Sequence, residues 1–405
     1  MNTALRHKIF LIIIIFIILL FSYKFSSNNM FINRLELKNF RNYSELNLEF
    51  ASDKILFTGA NAQGKTNILE AVYYLSALES FRAKSDSELI KRSESFCSLK
   101  AEIKKTDIDT GLEVLINPPN RKKLKINGIV KNKMSEFISC LSSVCFTSSD
   151  LLLLRGAPDD RRKWLDAAIC GIYPAYIERL NKYSRIKQQK NNYLKSLKGN
   201  INADSGLLDI YNEQLAKTGS NIIFIRVNFL HELQKTASIK HKQISKDENL
   251  VIMYDSAVTG SISALNKYEF NTEYIYSRFL KCLEEKRAEE IIRAQSVIGA
   301  HRDDVSYFIN DIDAEKFASQ GQQRTIVLSL KLAELELIKD KTGAEAVLLL
   351  DDVLAELDAS RQNFLLEAIE GAQTIITAAD IHQFRGEYLK NAEIYEIKDN
   401  SAYKC

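Results

Sequence analysis

The sequence has few of the residues from which metal sites and disulfide frameworks are built. Its 405 residues include six cysteines with no Cys-x-x-Cys pair, and five histidines, none at ligand spacing from a cysteine or another histidine. This distribution argues against a structural zinc site. It is typical of small buried cysteines in a reducing compartment, so we expect a cytoplasmic protein.

A large excess of charge of one sign is also missing. Lys and Arg number 55 against 52 Asp and Glu, which gives a formal net charge of +3. Any nucleic-acid surface therefore has to be a local patch of the molecule. The hydrophobic share of 46% and the charged share of 26% are ordinary for a soluble globular protein of one large or two medium domains.

A membrane-spanning run of about 20 apolar residues is missing as well. The strongest candidate, Ile9 to Phe21, has thirteen consecutive apolar residues behind a short basic segment. The small residues of a signal-peptide cleavage site are absent. Three interpretations stay open: a membrane anchor, a signal peptide, or translation that begins at Met30. We favour the last, because Met30 to Leu37 already resembles an opening strand, and we expect no membrane partner for the extension 1–29.

One stretch matches Gly-x-x-x-x-Gly-Lys-[Ser/Thr], the pattern of a phosphate-binding loop. The apolar run Ile55 to Phe57 precedes it and the helical pattern Asn67 to Leu75 follows it. In such a loop, backbone N–H groups and the helix dipole attract an anion. Lys65 would reach the outer phosphates of ATP, and the Thr66 hydroxyl would bind Mg²⁺. The predicted loop residues are Gly59, Ala60, Asn61, Ala62, Gln63, Gly64, Lys65 and Thr66.

A second motif is an apolar strand that ends in two acids, Asp351 and Asp352. This is the Walker B pattern, in which a buried strand delivers the first carboxylate to the Mg²⁺ shell. The second carboxylate would orient or activate the attacking water, so we predict a catalytic role for Asp352 together with Lys65. The alternative is a core strand whose acids cap the next turn.

A third motif precedes the helical pattern that begins near Gln323. It consists of Ser319, Gln320, Gly321 and Gln322, and a serine, a glycine and amides at a helix N-terminus can receive phosphate. This segment resembles the ABC signature, and Ala355 to Asp358 resembles the D-loop. With Asn39 to Tyr43, Gly156 to Asp166 and Gly299 to Asp304, the chain from Met30 to about Phe384 resembles the RecF family of bacterial recombination and repair ATPases.

The resemblance implies an α/β fold: an ABC-type ATPase head, like those of SMC and Rad50, with an antiparallel β layer and an inserted helical lobe. It implies an ATP-bound dimer in which the loop and Asp351 of one subunit face Ser319 to Gln322 of a second copy. Members bind single-stranded, gapped and duplex DNA, hydrolyse ATP slowly, and act with RecR to load RecA in recombinational repair and replication restart. The sequence departs from the family pattern at Ser148 to Asp150, at Ala300, and at Thr377, where many ABC proteins have a histidine.

Hydrophobic periodicity suggests how the chain is divided. We predict an N-terminal part of the head over 30–157, a mainly helical lobe over 158–296 and a C-terminal part over 297–405. Apolar residues from Leu165 to Tyr183 recur at helical spacing, a second helix runs from Leu207 past Leu233, and Gly199 to Gly206 is the predicted turn.

Two runs of basic residues contain no acid. One lies between residues 179 and 198 with interleaved tyrosines, and the other lies between residues 121 and 133. Phosphate backbones attract such patches, although solvated surface is an equal alternative from charge alone. The residues concerned are Arg179, Lys182, Arg185, Lys187, Lys190, Lys195 and Lys198, and Arg121, Lys122, Lys123, Lys125, Lys131 and Lys133.

Two other classes of protein were weighed. The ATPase subunit of a transporter would not carry a lobe in the roughly 250 residues between loop and signature, and no multi-span region accompanies it. A small-molecule P-loop kinase would leave Ser319 to Gln323 and the basic runs unexplained.

Overall fold

The computed structural model of the protein describes residues 30–105, 108–197, 206–266, 271–381, 384, 389 and 391–405. The predictions for residues 1–29, and for 199–205 of the expected turn, lie outside these ranges. No helix in the described ranges is both long and apolar enough to cross a membrane.

The described residues form runs of successive strands and runs of successive helices, with short 3-10 turns at Asp86–Leu89, Ser148–Leu151 and Val353–Glu356. The strands are β1 (Met30–Phe40), β2 (Tyr43–Glu49), β3 (Lys54–Thr58), β4 (Cys97–Lys105), β5 (Ile108–Ile116), β6 (Lys123–Ile126), β7 (Ile129–Lys131), β8 (Ser143–Thr147), β9 (Leu250–Ser256), β10 (Gly260–Ser263), β11 (Asp304–Ile309), β12 (Ile312–Asp313), β13 (Val347–Asp351), β14 (Thr374–Thr377), β15 (Glu393–Lys398) and β16 (Ser401–Lys404). The helices are α1 (Lys65–Ala77), α2 (Met134–Ile138), α3 (Leu152–Arg155), α4 (Pro158–Ile172), α5 (Tyr176–Ser196), α6 (Gly206–Ser245), α7 (Thr272–Glu285), α8 (Arg287–Arg293), α9 (Ala314–Phe317), α10 (Gln320–Thr342) and α11 (Ala359–Ala368).

A mostly parallel sheet forms the centre of the head, with strand order β16-β15-β3-β14-β13-β8. Strands β3, β8 and β13 are buried over most of their length, as parallel strands covered on both sides are. Leu348 and Leu350 of β13 lie in the core that the sheet shares with the helices. Val347 and Leu349 lie in the core that it shares with the antiparallel sheet described next. The parallel register brings Asp351 beside Thr377 at the carboxyl edge of the sheet.

The predicted antiparallel layer is confirmed, with strand order β2-β1-β4-β5-β6-β7. Alternate residues such as Leu35 and Leu37 are buried in the shared core. Asn127 and Gly128 close the β6–β7 hairpin with positive φ angles of 50° and 78°, as a tight hairpin turn requires.

The helical part contains three successive helices where the periodicity predicted two. The apolar face from Leu165 to Tyr183 does not lie on one helix, because α4 ends at Ile172 and α5 begins at Tyr176. Pro174 lies in the break; proline has no N–H for the helical ladder, and it disfavours helical backbone in the residue before it. The 40-residue helix α6 packs against α5, α7 and α10.

The segment Gly299 to Asp304 is bonded to the helices α4 and α6. The Arg226 guanidinium of α6 donates to the Ala300 carbonyl at 2.6 Å and pairs with both carboxylate oxygens of Asp166 at 2.9 and 2.8 Å. Arg161 pairs with both oxygens of Asp304 at 2.7 Å. This motif therefore holds helices together in the described structure. A four-stranded sheet, β10-β9-β11-β12, lies beside it.

Candidate functional site

The loop before α1 has a backbone that glycine alone accommodates at two positions. Gly59 and Gly64 have φ angles of 134° and 105°. A Cβ at Gly59 would lie 2.4 Å from the Ile397 carbonyl oxygen, and one at Gly64 would lie 2.5 Å from Asn42 Nδ2. The two glycines of the motif therefore let the loop curl against neighbouring strands.

Lys65 lies within this loop and is 4% exposed. Its ammonium donates to the carbonyl oxygens of Gly59 at 2.5 Å and Ala60 at 3.1 Å. The residue begins α1, so the ammonium and the first N–H groups of the helix lie at the same end of the loop. This is the arrangement from which a loop lysine contacts an anion.

The turn between β1 and β2 supports the loop from outside, a role that the sequence analysis did not assign. Tyr43 Oη donates to the Gly64 carbonyl at 3.1 Å, and Asn42 Nδ2 donates to the Gln63 carbonyl at 3.4 Å. Asn67 Nδ2 in turn donates to Asn42 Oδ1 at 2.6 Å. The motif Asn39 to Tyr43 was the available signal for this support.

The structure brings together the two residues predicted to bind metal. Thr66 Oγ1 donates to Asp351 Oδ1 at 2.8 Å, although the residues are 285 positions apart. Thr377 Oγ1 donates to the same oxygen at 2.8 Å. Burial raises the pKa of the Asp351 carboxyl, and the hydrogen bonds from Thr66 and Thr377 oppose that shift.

Asp352 follows the strand in a left-handed conformation with φ 54°. Its backbone N–H donates to Thr377 Oγ1 at 3.0 Å. Thr377 therefore bonds both acids from the neighbouring strand, at the position where the sequence analysis noted a departure from other ABC proteins. The left-handed turn directs the chain out of the sheet directly after Asp351.

The predicted signature segment caps the 23-residue helix α10. Ser319 Oγ accepts from the Gln322 N–H at 3.2 Å, and Gln322 Oε1 accepts from the Ser319 N–H at 2.8 Å. Ser319 and Gln320 are exposed, while Gly321 and Gln322 are partly buried. This reciprocal capping box fixes the segment at a helix N-terminus, where anions are favoured.

Two arginines join the D-loop-like segment and helix α11 to the signature helix. Arg324 of α10 donates to the Glu356 carbonyl. Arg361 of α11 donates to the Gly321 carbonyl at 3.0 Å and to Thr325 Oγ1 at 2.8 Å, and it pairs with Asp358. Asp358 itself caps α11 by accepting from the Arg361 N–H at 2.9 Å. No sequence motif points to Arg361, because its partners on α10 lie at least 36 positions away.

No hydrogen bond or ion pair between described residues joins the loop Gly59–Thr66 to the segment Ser319–Gln322. The loop bonds to the β1–β2 turn, to Asp351 and to Asp399. The signature segment bonds to Glu248 and Arg361. The two predicted halves of the nucleotide site are thus built separately within one chain.

The segment Ser148 to Asp150 lies at a cleft of about 960 Å³ between α1 and the helical part. The carboxylate of Asp150 lies 3.3 Å from the buried ammonium of Lys331, so this segment is tied to the signature helix α10. Burial raises the pKa of Asp150, an effect opposed by Lys331.

The two basic runs differ in how many of their cations are exposed. The prediction that Lys190 belongs to an exposed basic patch is wrong. This residue is fully buried, and its ammonium lies 2.6 Å from the Glu290 carboxylate. Lys122, Lys125 and Lys131 pair with acids, and Lys198 lies outside the described residues. The exposed cations without an acidic partner among the described residues are Arg179, Lys182, Arg185 and Lys195, and Arg121, Lys123 and Lys133.

Comparisons with known proteins agree with this architecture. A family model described as the RecF/RecN/SMC N terminal domain matches residues 31–401. The chain is similar to the DNA replication and repair protein RecF of Bacillus thuringiensis (strain Al Hakam), with 39% identity over 375 residues that cover 92% of this chain and 98% of the relative.

Solved structures show the same similarity. A structure of the recombination mediator protein RecF with ATP in the RecFOR pathway matches with a TM-score of 0.84 and 32% identity, covering 94% of this chain and 99% of that one. A Pyrococcus furiosus Smc head domain matches with a TM-score of 0.50 at 15% identity over 93% of this chain and 96% of that chain, which shows the fold alone. The fold is therefore the α/β head shared by SMC-like ABC ATPases.

Proposed function

The chain belongs to the RecF family of DNA replication and repair proteins, within the SMC-like ATPases, and we propose that two copies of it close over ATP to grip DNA. The observation that carries this proposal is the separation of the two half-sites within the chain. Among the described residues, the exposed, preformed helix N-terminus at Ser319 makes no hydrogen bond or ion pair to the loop of its own chain, so a second copy can bring it to the nucleotide. Family membership leaves no place for the transporter or small-molecule kinase alternatives.

Within one chain, ATP would be held by the loop and the carboxyl edge of the sheet. The loop N–H groups and Lys65 would bind the phosphates. Thr66 and Asp351 fit Mg²⁺, because a hydroxyl and a carboxylate oxygen 2.8 Å apart are the hard ligands this ion prefers. When bound, the ion would neutralise charge on the outer phosphate oxygens.

Ser319 to Gln322 of the second copy would complete the site at the γ-phosphate, with the α10 N-terminus supplying N–H groups and a favourable dipole. Asp352 would orient the attacking water. Its short side chain starts from a left-handed turn held by Thr377, which supports slow hydrolysis that serves as a timer for release.

DNA would lie against the exposed cations of both basic runs. Helix α2 contacts α5 and also the strands β6 and β7, so the elements that carry the two runs are neighbours in the fold. Phosphate contacts of this kind bind single-stranded, gapped and duplex DNA without reading sequence. We further propose that the division at 157 and 296 separates the head from the lobe, and that RecR is the partner through which the bound protein promotes RecA loading.

The shared site is tested by mixing two inactive chains, one with Lys65→Ala and the other with Ser319→Arg. In a heterodimer, one composite site contains both substitutions, because the loop of the first chain faces the signature segment of the second. The other composite site contains neither substitution. ATPase activity, measured with gapped DNA present, should therefore return on mixing although each variant alone is inactive.

A matched control mixes Lys65→Ala with Asp351→Asn, whose lesions both belong to the half-site of the loop. Each composite site of that heterodimer carries one lesion, so activity should stay absent. If Lys65→Ala and Ser319→Arg heterodimers demonstrably form and remain inactive, ATP is not shared between copies.

A further inference from the structure

Glu248 lies between the helical lobe and the signature segment. It occupies the short connection between the end of α6 at Ser245 and the start of β9 at Leu250. Its Oε1 accepts from Gln322 Nε2 at 2.8 Å, and its Oε2 accepts from His241 Nε2 at 3.1 Å. One carboxylate thus links a lobe helix to a signature residue 74 positions later in the chain.

The bond to Glu248 fixes which way the Gln322 amide faces. A carboxylate oxygen accepts hydrogen bonds and cannot donate them, so the NH2 group of Gln322 must point toward Glu248. The amide oxygen then faces the other way and accepts from the Ser319 N–H at 2.8 Å. Rotation of this amide would place its NH2 group against the Ser319 N–H, two donors facing each other. Glu248 therefore maintains the capping box that shapes the exposed Ser319.

His241 holds Glu248 from the side of the lobe. Its side chain is fully buried, and burial lowers the pKa of the imidazole, against the opposing effect of Glu248. A neutral imidazole that bonds to a carboxylate carries its proton on Nε2. Its Nδ1 is buried with no hydrogen-bond partner among the described residues. The hydrogen bond of this imidazole among the described residues is therefore the one to Glu248.

We propose that Glu248 is a positioning residue through which the helical lobe sets the conformation of the signature segment for a second copy. The inference rests on the proposed function, because it matters only when Ser319 completes a site in another chain. It adds that the helical lobe determines whether the signature segment can complete the site of a second copy. The exposed cations of α5 lie in the same lobe.

The test uses Glu248→Ala in the full chain and measures two steps separately. ATP affinity of the monomer should be unchanged, since the loop and Asp351 do not contact Glu248. ATP-dependent dimerisation, followed by sedimentation, should weaken at least about tenfold, the scale of one hydrogen bond to a charged group. Mixing Glu248→Ala with Lys65→Ala should restore ATPase activity, because both defects then fall in one composite site of the heterodimer and the other site is intact.

The matched control is Glu232→Ala. Glu232 also joins α6 to α10, through Lys341 at 2.9 Å, but near the opposite end of α10 from Ser319. Dimerisation of this variant should equal that of the unmodified protein. Glu248→Gln keeps an oxygen that can accept from Gln322, so it should recover part of the dimerisation. That recovery would exclude a folding defect as the cause of the weaker dimerisation of Glu248→Ala.

Three outcomes would overturn the inference. Glu248→Ala could dimerise with ATP as the unmodified protein does, or it could lose monomer ATP affinity to the same degree as dimerisation, or Glu232→Ala could reproduce its effect. Failure of the proposed function is distinguishable, because the unmodified chain itself would then not dimerise with ATP and Lys65→Ala would not complement Ser319→Arg.

Discussion

At the scale of single residues, the loop depends on backbone geometry as much as on side-chain chemistry. Gly64 has a left-handed φ, and a Cβ there would lie 2.5 Å from Asn42 Nδ2 and 2.8 Å from Tyr43 Oη. Both neighbours are themselves bonded to the loop. A methyl group at this position therefore disturbs the loop and the turn that supports it.

Gly64→Ala should abolish measurable ATP binding, whereas Gly371→Ala should retain it. Gly371 also has a positive φ, 95°, but a Cβ there would meet no atom within 4 Å. Both substitutions cost about 1–2 kcal/mol of backbone strain, so chemical denaturation should show similar losses of stability from that source. Calorimetric titration with ATP should separate them. Equal affinities in the two variants would mean that the close contacts of Gly64 are unimportant.

Asp303 gives a residue-scale prediction about pH. Its side chain is 1% exposed, and burial raises its pKa to about 6, against hydrogen bonding from Tyr254. The folded state therefore holds this proton up to a higher pH than the unfolded state, whose pKa is near 3.8. The stability contributed by this group is present below that lower value and is lost as pH rises through about 6.

Asp303→Asn removes this titration. The free energy of unfolding of the variant, relative to the unmodified protein, should increase by about 1.4 kcal/mol between pH 5 and pH 8, about half of what the full pKa difference represents, because the rest is lost below pH 5. Urea denaturation at intervals of half a pH unit measures the difference. A difference that does not change with pH would show that Asp303 has an ordinary pKa.

The positions of the loop and of the two acids at the end of a strand could be predicted, because each motif is continuous in sequence. Gly59 to Thr66 and Asp351 to Asp352 lie where the patterns placed them, and Thr66 bonds to Asp351 as a shared metal site requires. The supporting residues could not be predicted with their roles. Asn42 and Glu248 act on motifs 21 and 74 positions away, through hydrogen bonds that depend on tertiary packing and leave no periodic pattern.

At the scale of elements, the pattern of apolar residues predicted strands more accurately than helix boundaries. Strands β3 and β13 were found because they are apolar on both faces and end in motifs. The break between α4 and α5 was missed because the apolar face continues across Pro174 in the same rotational phase, so periodicity alone indicates one helix.

Helices α5 and α8 are joined by an ion pair whose lysine was predicted to lie in an exposed basic run. Lys190 and Glu290 are fully buried and 2.6 Å apart. Burial lowers the pKa of Lys190, and Glu290 opposes that effect. Lys190→Met should lower the free energy of unfolding by about 3–5 kcal/mol, because it leaves a buried carboxylate without its partner.

The double variant Lys190→Met, Glu290→Leu should recover most of that loss, since a buried pair can be replaced by apolar residues at little cost. Arg293→Gln on the same helix α8 is the control. Its exposed pair with Glu289 should contribute less than about 1 kcal/mol. Urea denaturation measures all three variants. A single variant as stable as the control would contradict the buried-pair interpretation.

At the scale of the whole molecule, the chain connects two surfaces for which different ligands are proposed. The loop and the carboxyl edge of the central sheet form the proposed ATP half-site, while the signature segment is bonded to Glu248 and Arg361. The lobe helix α6 contacts α5, which carries exposed cations, and also leads into Glu248. DNA and ATP would therefore influence each other through the packing of α6 against α10, and thermodynamic linkage requires that the influence be reciprocal.

The position of DNA on this surface is tested by the salt dependence of binding. Each phosphate contact removed should reduce the slope of log K against log salt by about 0.9 for duplex DNA. Replacing Arg179, Lys182 and Arg185 with Gln should therefore reduce the slope by about 2.7 if all three contact phosphates. The same reasoning applies separately to Arg121, Lys123 and Lys133.

Lys281→Gln is the control, because Lys281 is an exposed lysine on α7 of the same lobe but belongs to neither basic run. For this variant, the slope of log K against log salt should equal that of the unmodified protein. Fluorescence anisotropy with ATP present measures the slope between roughly 50 and 200 mM salt, where phosphate contacts are resolved. A reduced slope in both triple variants places DNA across α5 and the β6–β7 hairpin together, since α2 bridges them. An unchanged slope in both would exclude this side of the chain and leave the dimer to grip DNA elsewhere.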